Sequence, residues 1–255
     1  VGPRTLHENW DELPEYRPNA EGEITCSDFF GGDLQGSTEK LDYLASLHVT
    51  TLYLNPIFES ASNHRYDTGD YRKVDPILGT NADFKKLCSA AADCGIRIVL
   101  DGVFAHTGAD SRYFNREGQY DTIGAFQSPD SPYFEWYNFR NFPYEYESWW
   151  NFSTLPDVKE MTPSYMDFII YDKDSVLHHW MKEGIAGWRL DVIDELPAAF
   201  SQSFFAELKK TDPDAVMIGE VWEDASNKIS YGKRRSYFSA AQLDSVMNYP
   251  FRDAV

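Results

Sequence analysis

Four short runs rich in β-branched and apolar residues recur along the chain: 49–57 (VTTLYLNPI), 96–103 (IRIVLDGV), 185–192 (IAGWRLDV) and 215–222 (AVMIGEVW). Stretches of helical period lie between and beside them. Residues 37–47 carry Leu41, Leu44 and Leu47 on one stripe. Thr80-Asn-Ala-Asp83 resembles a capping box, and the helix it opens runs to about Cys94, with Gly95 as its stop. Residues 172–182 place Val176, Leu177, Trp180 and Met181 on one face, residues 197–210 read as a further helix, and a short strand near 242–247 precedes the turn Asn248-Tyr-Pro250. Buried runs of this kind, alternating with helices, predict a parallel sheet covered by helices. Right-handed crossovers leave two solutions, an open doubly wound sheet or a (β/α) barrel.

The remaining segments break the rhythm. Residues 1–35 are turn-rich, with a strand predicted only at 25–30 and a loop at Gly31-Gly-Asp-Leu34. Residues 63–71 form a polar loop rich in rings and acids. Residues 107–165 hold many aromatics, Pro and Gly with no clear period. They read as an inserted small subdomain, because Trp136, Trp149, Trp150 and the neighbouring Tyr and Phe residues suffice to bury area. The predicted organisation is therefore 1–106 and 166–255 as the two parts of one α/β unit, interrupted by 107–165.

Charge and composition narrow the chemistry. The net charge is −18 and there is no basic run, which argues against nucleic acid as a partner. Aromatic residues make up 16% of the chain; exposed rings among many carboxylates suit neutral sugars. The three cysteines, Cys26, Cys88 and Cys94, are too few and too scattered for a disulfide framework or a metal site, and their free thiols favour a cytoplasmic setting. No apolar run reaches the length of a membrane span, no signal-peptide pattern opens the chain, and Asn151-Phe-Ser153 is a glycosylation triplet of a kind common by chance.

Polar residues gather at the C-terminal ends of the predicted strands: Asp101 and His106 after one, Arg189 and Asp191 on the next, Glu220 and Trp222 on the one after. Arg189 and Asp191 are two apart, so in a strand they leave one face, while Trp188, Leu190 and Val192 leave the other. Taken alone the pair reads equally as a structural ion pair or as a carboxylate held for catalysis. Charges at three consecutive strand ends, which a parallel sheet gathers at one mouth, favour function. Asp191 and Glu220 suit glycoside cleavage, which uses a nucleophile and a proton donor flanking the scissile bond. Arg189 is expected to keep Asp191 ionised, and the apolar neighbours of Glu220 to raise its pKa so that it holds a proton.

Asp101-Gly-Val-Phe-Ala-His106, Gly187-Trp-Arg-Leu-Asp191 and Gly219-Glu-Val-Trp222 resemble, in order and spacing, three signature regions of the α-amylase superfamily of glycoside hydrolases. His64-Arg-Tyr-Asp67 and Leu243-Asp-Ser-Val-Met-Asn-Tyr-Pro250 are similar to its neopullulanase and cyclomaltodextrinase branch. The resemblance covers nearly everything after residue 25. It implies a (β/α)₈ barrel with a small B domain after the third strand, of which the five strands counted here are the second to the sixth. It implies Asp191 as nucleophile, Glu220 as acid/base, Arg189 as the holder of Asp191, His106 as a hydrogen-bonding group and Tyr66 as a stacking ring in the −1 subsite. Asp101 becomes a structural acid, Trp222 and Glu223 weaker candidates on the +1 side, Asp67 a loop-fixing acid, and His64 a subsite or loop residue. The implied substrates are maltodextrins, cyclodextrins or pullulan. Transglycosylation, an α-glucosidase specificity and a non-catalytic carbohydrate-binding relative are the alternatives.

Two departures stand out. Ala105 occupies the place of the Asn that supports calcium in many relatives, so no cofactor is expected. The family's third carboxylate lies in a later His-Asp pair, and no His follows Glu220. The 255 residues are therefore expected to be poorly active or inactive alone, either as an excised piece of a longer product or as a chain whose open barrel edges a partner covers, and those edges favour a homo-oligomer.

Overall fold

The computed structural model describes residues 4–24 and 27–254. Its centre is a five-stranded sheet of β1 (Thr51–Tyr53), β2 (Arg97–Gly102), β3 (Gly187–Leu190), β4 (Val216–Gly219) and β5 (Ser245–Val246). Every pairing is parallel. The strands lie side by side in chain order, β1-β2-β3-β4-β5. A doubly wound sheet reverses its order at a switch point, and this one does not. The sheet is a wall of a (β/α)₈ barrel, with five strands present among the described residues.

The strands are shorter than the apolar runs that predicted them, because only their middles stay in ladder register. Asp101 pairs with Arg189 and Arg189 with Ile218, so these side chains share the inner face. Trp188 and Leu190 leave the other face and are wholly buried. Trp188 meets Phe104 and Phe204 there, both with ring centroids 5.8 Å away. Val192 does not continue the alternation as predicted. Its φ is +34°, a strained value for a β-branched residue, and the chain turns there. Gly187 sets the spacing of β3 and β4, since a Cβ at that position would lie 2.1 Å from the Val216 carbonyl oxygen.

The helix predicted over 37–47 is two short ones, α1 (Leu34–Glu39) and α2 (Leu41–Ser46), meeting at Lys40. It begins earlier than predicted because Asp33 caps it, its carboxylate accepting the Gly36 N–H at 2.6 Å. The capping box at Thr80 and Asp83 is formed and opens α3 (Asn81–Asp93), which ends at Cys94 before Gly95 with φ +71°. The next helix, α4 (Val176–Lys182), starts later than predicted, at the Ser175 cap, after a π turn at Asp167–Tyr171. α5 spans Ala198–Thr211.

Outside the sheet, Asp28–Phe30 pairs with Thr5–His7 in a separate two-stranded sheet. Thr25 and Cys26, the start of the strand predicted at 25–30, lie outside the described residues. The polar loop predicted at 63–71 gives way at Thr68 to a strand, Thr68–Val74, paired antiparallel with Phe58–Ser60. Within 107–165, Trp136 is buried among rings and a hairpin joins Phe139–Asn141 to Glu145–Tyr146. Trp150 is not core, contrary to the sequence reading; it is 58% exposed. The segment after β4 holds the hairpin Ile229–Ser230/Lys233–Arg234.

Candidate active site

Register brings Asp101 of β2 beside Arg189 of β3, and the residues just past β3 and β4 are Asp191 and Glu220. Arg189, 3% exposed, is the hub. Its Nη1 lies 2.9 Å from both oxygens of Asp101 and 2.8 Å from Asp191 Oδ1. Its Nη2 lies 2.8 Å from Glu220 Oε2. Tyr53 and Tyr66 donate their hydroxyls to Asp101 Oδ2, the latter at 3.2 Å.

Glu220 is the best-supplied carboxylate. Its Oε1 accepts from Trp222 Nε1 and from the Tyr249 hydroxyl, each at 3.0 Å. Its Oε2 accepts the Val192 backbone N–H at 2.9 Å, which the turn at Val192 makes available. Burial pushes its pKa up, but the donors Trp222 and Val192 and the Arg189 charge outweigh that and hold it below the ordinary value. Asp191 has one donor, Arg189. Burial and the neighbouring Asp101 charge push its carboxyl up to about 8. This reverses the order expected from the sequence, in which Asp191 was ionised and Glu220 held the proton. The reason is a charge count: one guanidinium faces three buried carboxylates. Burial raises the Asp101 carboxyl as well, against the pull of Arg189 and its two tyrosine donors, so protonation is favoured on the side of the cluster away from Glu220.

The cluster opens into a cavity of about 500 Å³ lined by His64, Tyr66, His106, Trp149, Asp191, Glu220 and Trp222 among others. His106 donates Nε2–H to the Tyr66 carbonyl at 2.9 Å, a ring assignment set by the acceptor. Its buried Nδ1 has no protein partner, and burial drives its pKa down to about 4, so the ring is neutral. Trp222 is 41% exposed at the rim. Glu223 turns away and pairs with Lys228. Asp67 accepts from Ser60 Oγ at 2.5 Å and from the Ser62 N–H at 3.0 Å, within its own loop. His64 Nδ1 accepts the Tyr66 N–H at 3.1 Å. A second cavity of about 510 Å³, beside Glu59, Lys73 and Asp110, contains none of the strand-end groups.

Sequence reasoning missed Tyr53 and Tyr249. Tyr53 was findable, since alternation along β1 puts it on the inner face. Tyr249 lies in a predicted turn, and nothing local points it at a residue 29 positions earlier.

The order of the sheet agrees with what comparison finds. A family model described as "Alpha amylase, catalytic domain" matches residues 7–255. The chain belongs to the alpha-amylase family. It is 42% identical to an amylopullulanase of Thermoanaerobacterium saccharolyticum over 99% of its own length and 21% of that protein. It is 37% identical to neopullulanase 2 of Thermoactinomyces vulgaris, over 89% of this chain and 37% of that one. A solved cyclomaltodextrinase superposes with TM-score 0.77 at 32% identity, covering 99% of this chain and 40% of its own. The chain thus spans between about a fifth and two fifths of these relatives. Where the family resemblance implies a calcium-supporting Asn, Ala105 brings only a methyl group. Among the described residues no group of three or more His, Cys, Asp or Glu side chains is placed to hold a metal ion. No helix among the described residues is long and apolar enough to cross a membrane.

Proposed function

We propose that these residues are the catalytic region of a retaining glycoside hydrolase acting on α-glucosidic bonds of maltodextrins, cyclodextrins or pullulan. One observation carries the reading: Asp191 and Glu220 share the Arg189 guanidinium at the wall of one cleft. In the reaction the Asp191 carboxylate attacks the anomeric carbon, while Glu220 gives its proton to the departing glycosidic oxygen. Water, deprotonated by Glu220, then releases Asp191. Attack needs Asp191 ionised and Glu220 protonated, the reverse of the directions in which burial and donors shift the two groups. Substrate that displaces the Trp222 and Tyr249 donors from Glu220 favours that arrangement.

Arg189 holds Asp191, and Asp101 holds Arg189. His106 bonds the sugar at the reacting subsite, Tyr66 stacks on it, and Trp222 serves the leaving side. Residues 107–165 act as the inserted B domain, covering the mouth of a barrel formed by the rest. These 255 residues alone turn over slowly, because the sheet has unpaired edges at β1 and β5 among the described residues and no His-Asp pair follows Glu220. Those edges are also where a second copy associates. The free Cys88 and Cys94 suit a reducing, cytoplasmic setting.

In the natural full-length product, Asp191→Asn and Glu220→Gln should each lower kcat on maltodextrin by roughly 10²–10⁴-fold with folding intact. The first-formed product, followed by NMR, should be the α anomer. A β anomer, or near-parental turnover in either variant, would sink the assignment.

A further inference from the structure

Two indoles and a phenol converge on one carboxylate that the reaction above does not use. Trp149 Nε1 donates to Glu195 Oε2 at 2.5 Å, Trp150 Nε1 to Oε1 at 3.1 Å, and the Tyr231 hydroxyl to Oε1 at 2.9 Å. The rings come from two segments distant in sequence. Trp149 and Trp150 stack with centroids 5.0 Å apart and planes at 12°, and Trp150 meets Trp222 edge-on at 6.2 Å.

Burial does not hold two of these rings. Trp150 is 58% and Tyr231 69% exposed. The backbone is also strained to present them: Trp150 and Asn151 have φ of +48° and +65° in succession. Left-handed backbone costs a non-glycine residue roughly 1–2 kcal/mol. Strain of this kind persists where the surroundings hold it and clusters at functional sites. The neighbouring Asp194 accepts from Lys228 and from the Tyr237 hydroxyl. Asp194 and Glu195, three and four residues past Asp191, thus tie residues 149–150 and the segment 228–237 to the end of β3.

We propose that Glu195 is a positioning residue that locks Trp149, Trp150 and Tyr231 into a rigid aromatic wall beside the catalytic pair, against which the outer units of an extended α-glucan lie. The inference rests on the substrate class proposed above. Glu195 acts through the rings and not by touching sugar. A carboxylate offers about four acceptor positions and three of these are filled. The rings offer flat faces of the kind that sugars cover.

The test is made in the natural full-length product with Glu195→Gln, which replaces one acceptor oxygen by a donor, and Tyr231→Phe, which removes one hydroxyl from an exposed ring. KM and kcat are measured on linear maltooligosaccharides of increasing length and on a single-ring aryl α-glucoside, together with tryptophan emission. For Glu195→Gln, KM on the longest oligosaccharide should rise about three- to tenfold, the effect of one or two hydrogen bonds, with kcat within about twofold and emission shifted to the red. Tyr231→Phe should move KM the same way by less. KM unchanged with chain length, or an equal fall of kcat on both substrates, would overturn the proposal. A parent protein that cleaves no α-glucoside removes the functional reading instead. The wall is then judged by maltooligosaccharide binding followed through tryptophan emission: tighter binding by the parent than by Glu195→Gln supports it, and equal or no binding overturns it.

Discussion

Arg189 and Trp136 are equally hidden from water, 3% and 2% exposed, and they are held in opposite ways. Trp136 lies among Tyr113, Tyr133, Tyr165 and Phe168, with ring centroids 4.8 to 5.4 Å away, and its single N–H reaches Ser164 Oγ at 3.0 Å. Several neighbours share each contact, so a lost atom is partly covered by the rest. Around Arg189 three carboxyl groups share one positive charge, and the other donors to Asp101 and Glu220 are neutral, so removing the guanidinium leaves charge uncompensated in a poorly solvated place. The aromatic cluster therefore tolerates change, and the charged cluster does not.

The largest expected effect breaks the hub. Arg189→Met should cost about 3–5 kcal/mol at neutral pH, because it removes the one positive charge that three buried carboxyl groups share. Trp136→Phe should cost about 1–2 kcal/mol. Urea unfolding of both variants checks the contrast, and equal losses would break it.

Next is the proton on Asp191. Its folded pKa of about 8 lies above an unfolded value of about 4, so between them the folded state binds more protons and stability falls as pH rises. Asp191→Asn removes that fall. The variant should match the parent near pH 4 and exceed it above pH 8 by on the order of 2 kcal/mol, reduced from the full linkage value because the group is coupled to Arg189 and Asp101. Denaturation midpoints across pH measure this; a parent whose stability stays level from pH 4 to 8 would contradict the assignment of the proton.

The smallest effect sharpens the picture of Glu220. Tyr249→Phe removes one of its donors and should raise its pKa, with a stability change of about 1 kcal/mol. A carboxyl ¹³C titration that does not move would mean that the Tyr249 hydroxyl is not a donor in solution.

Much of this contrast was legible in the sequence. The β-branched runs marked the strands, and the two-residue spacing of Arg189 and Asp191 put both on one face. Glu220 stood out as a charge at the end of an apolar run. The direction of the proton was not legible, because it depends on a backbone turn at Val192 and on a tyrosine 29 residues further on. Segment 107–165 kept its structure hidden for another reason: ring-on-ring packing imposes no period, so Trp136 in the core and Trp150 in solvent look alike as letters.

Gly187 carries a consequence for heredity. The Val216 carbonyl oxygen stands 2.1 Å from where a Cβ would be, so the sheet beneath Arg189 closes only around a missing carbon. Every single-base change that replaces this glycine by another amino acid adds that carbon. In a lineage that depends on Asp191, this codon has no neutral neighbours except its own synonyms.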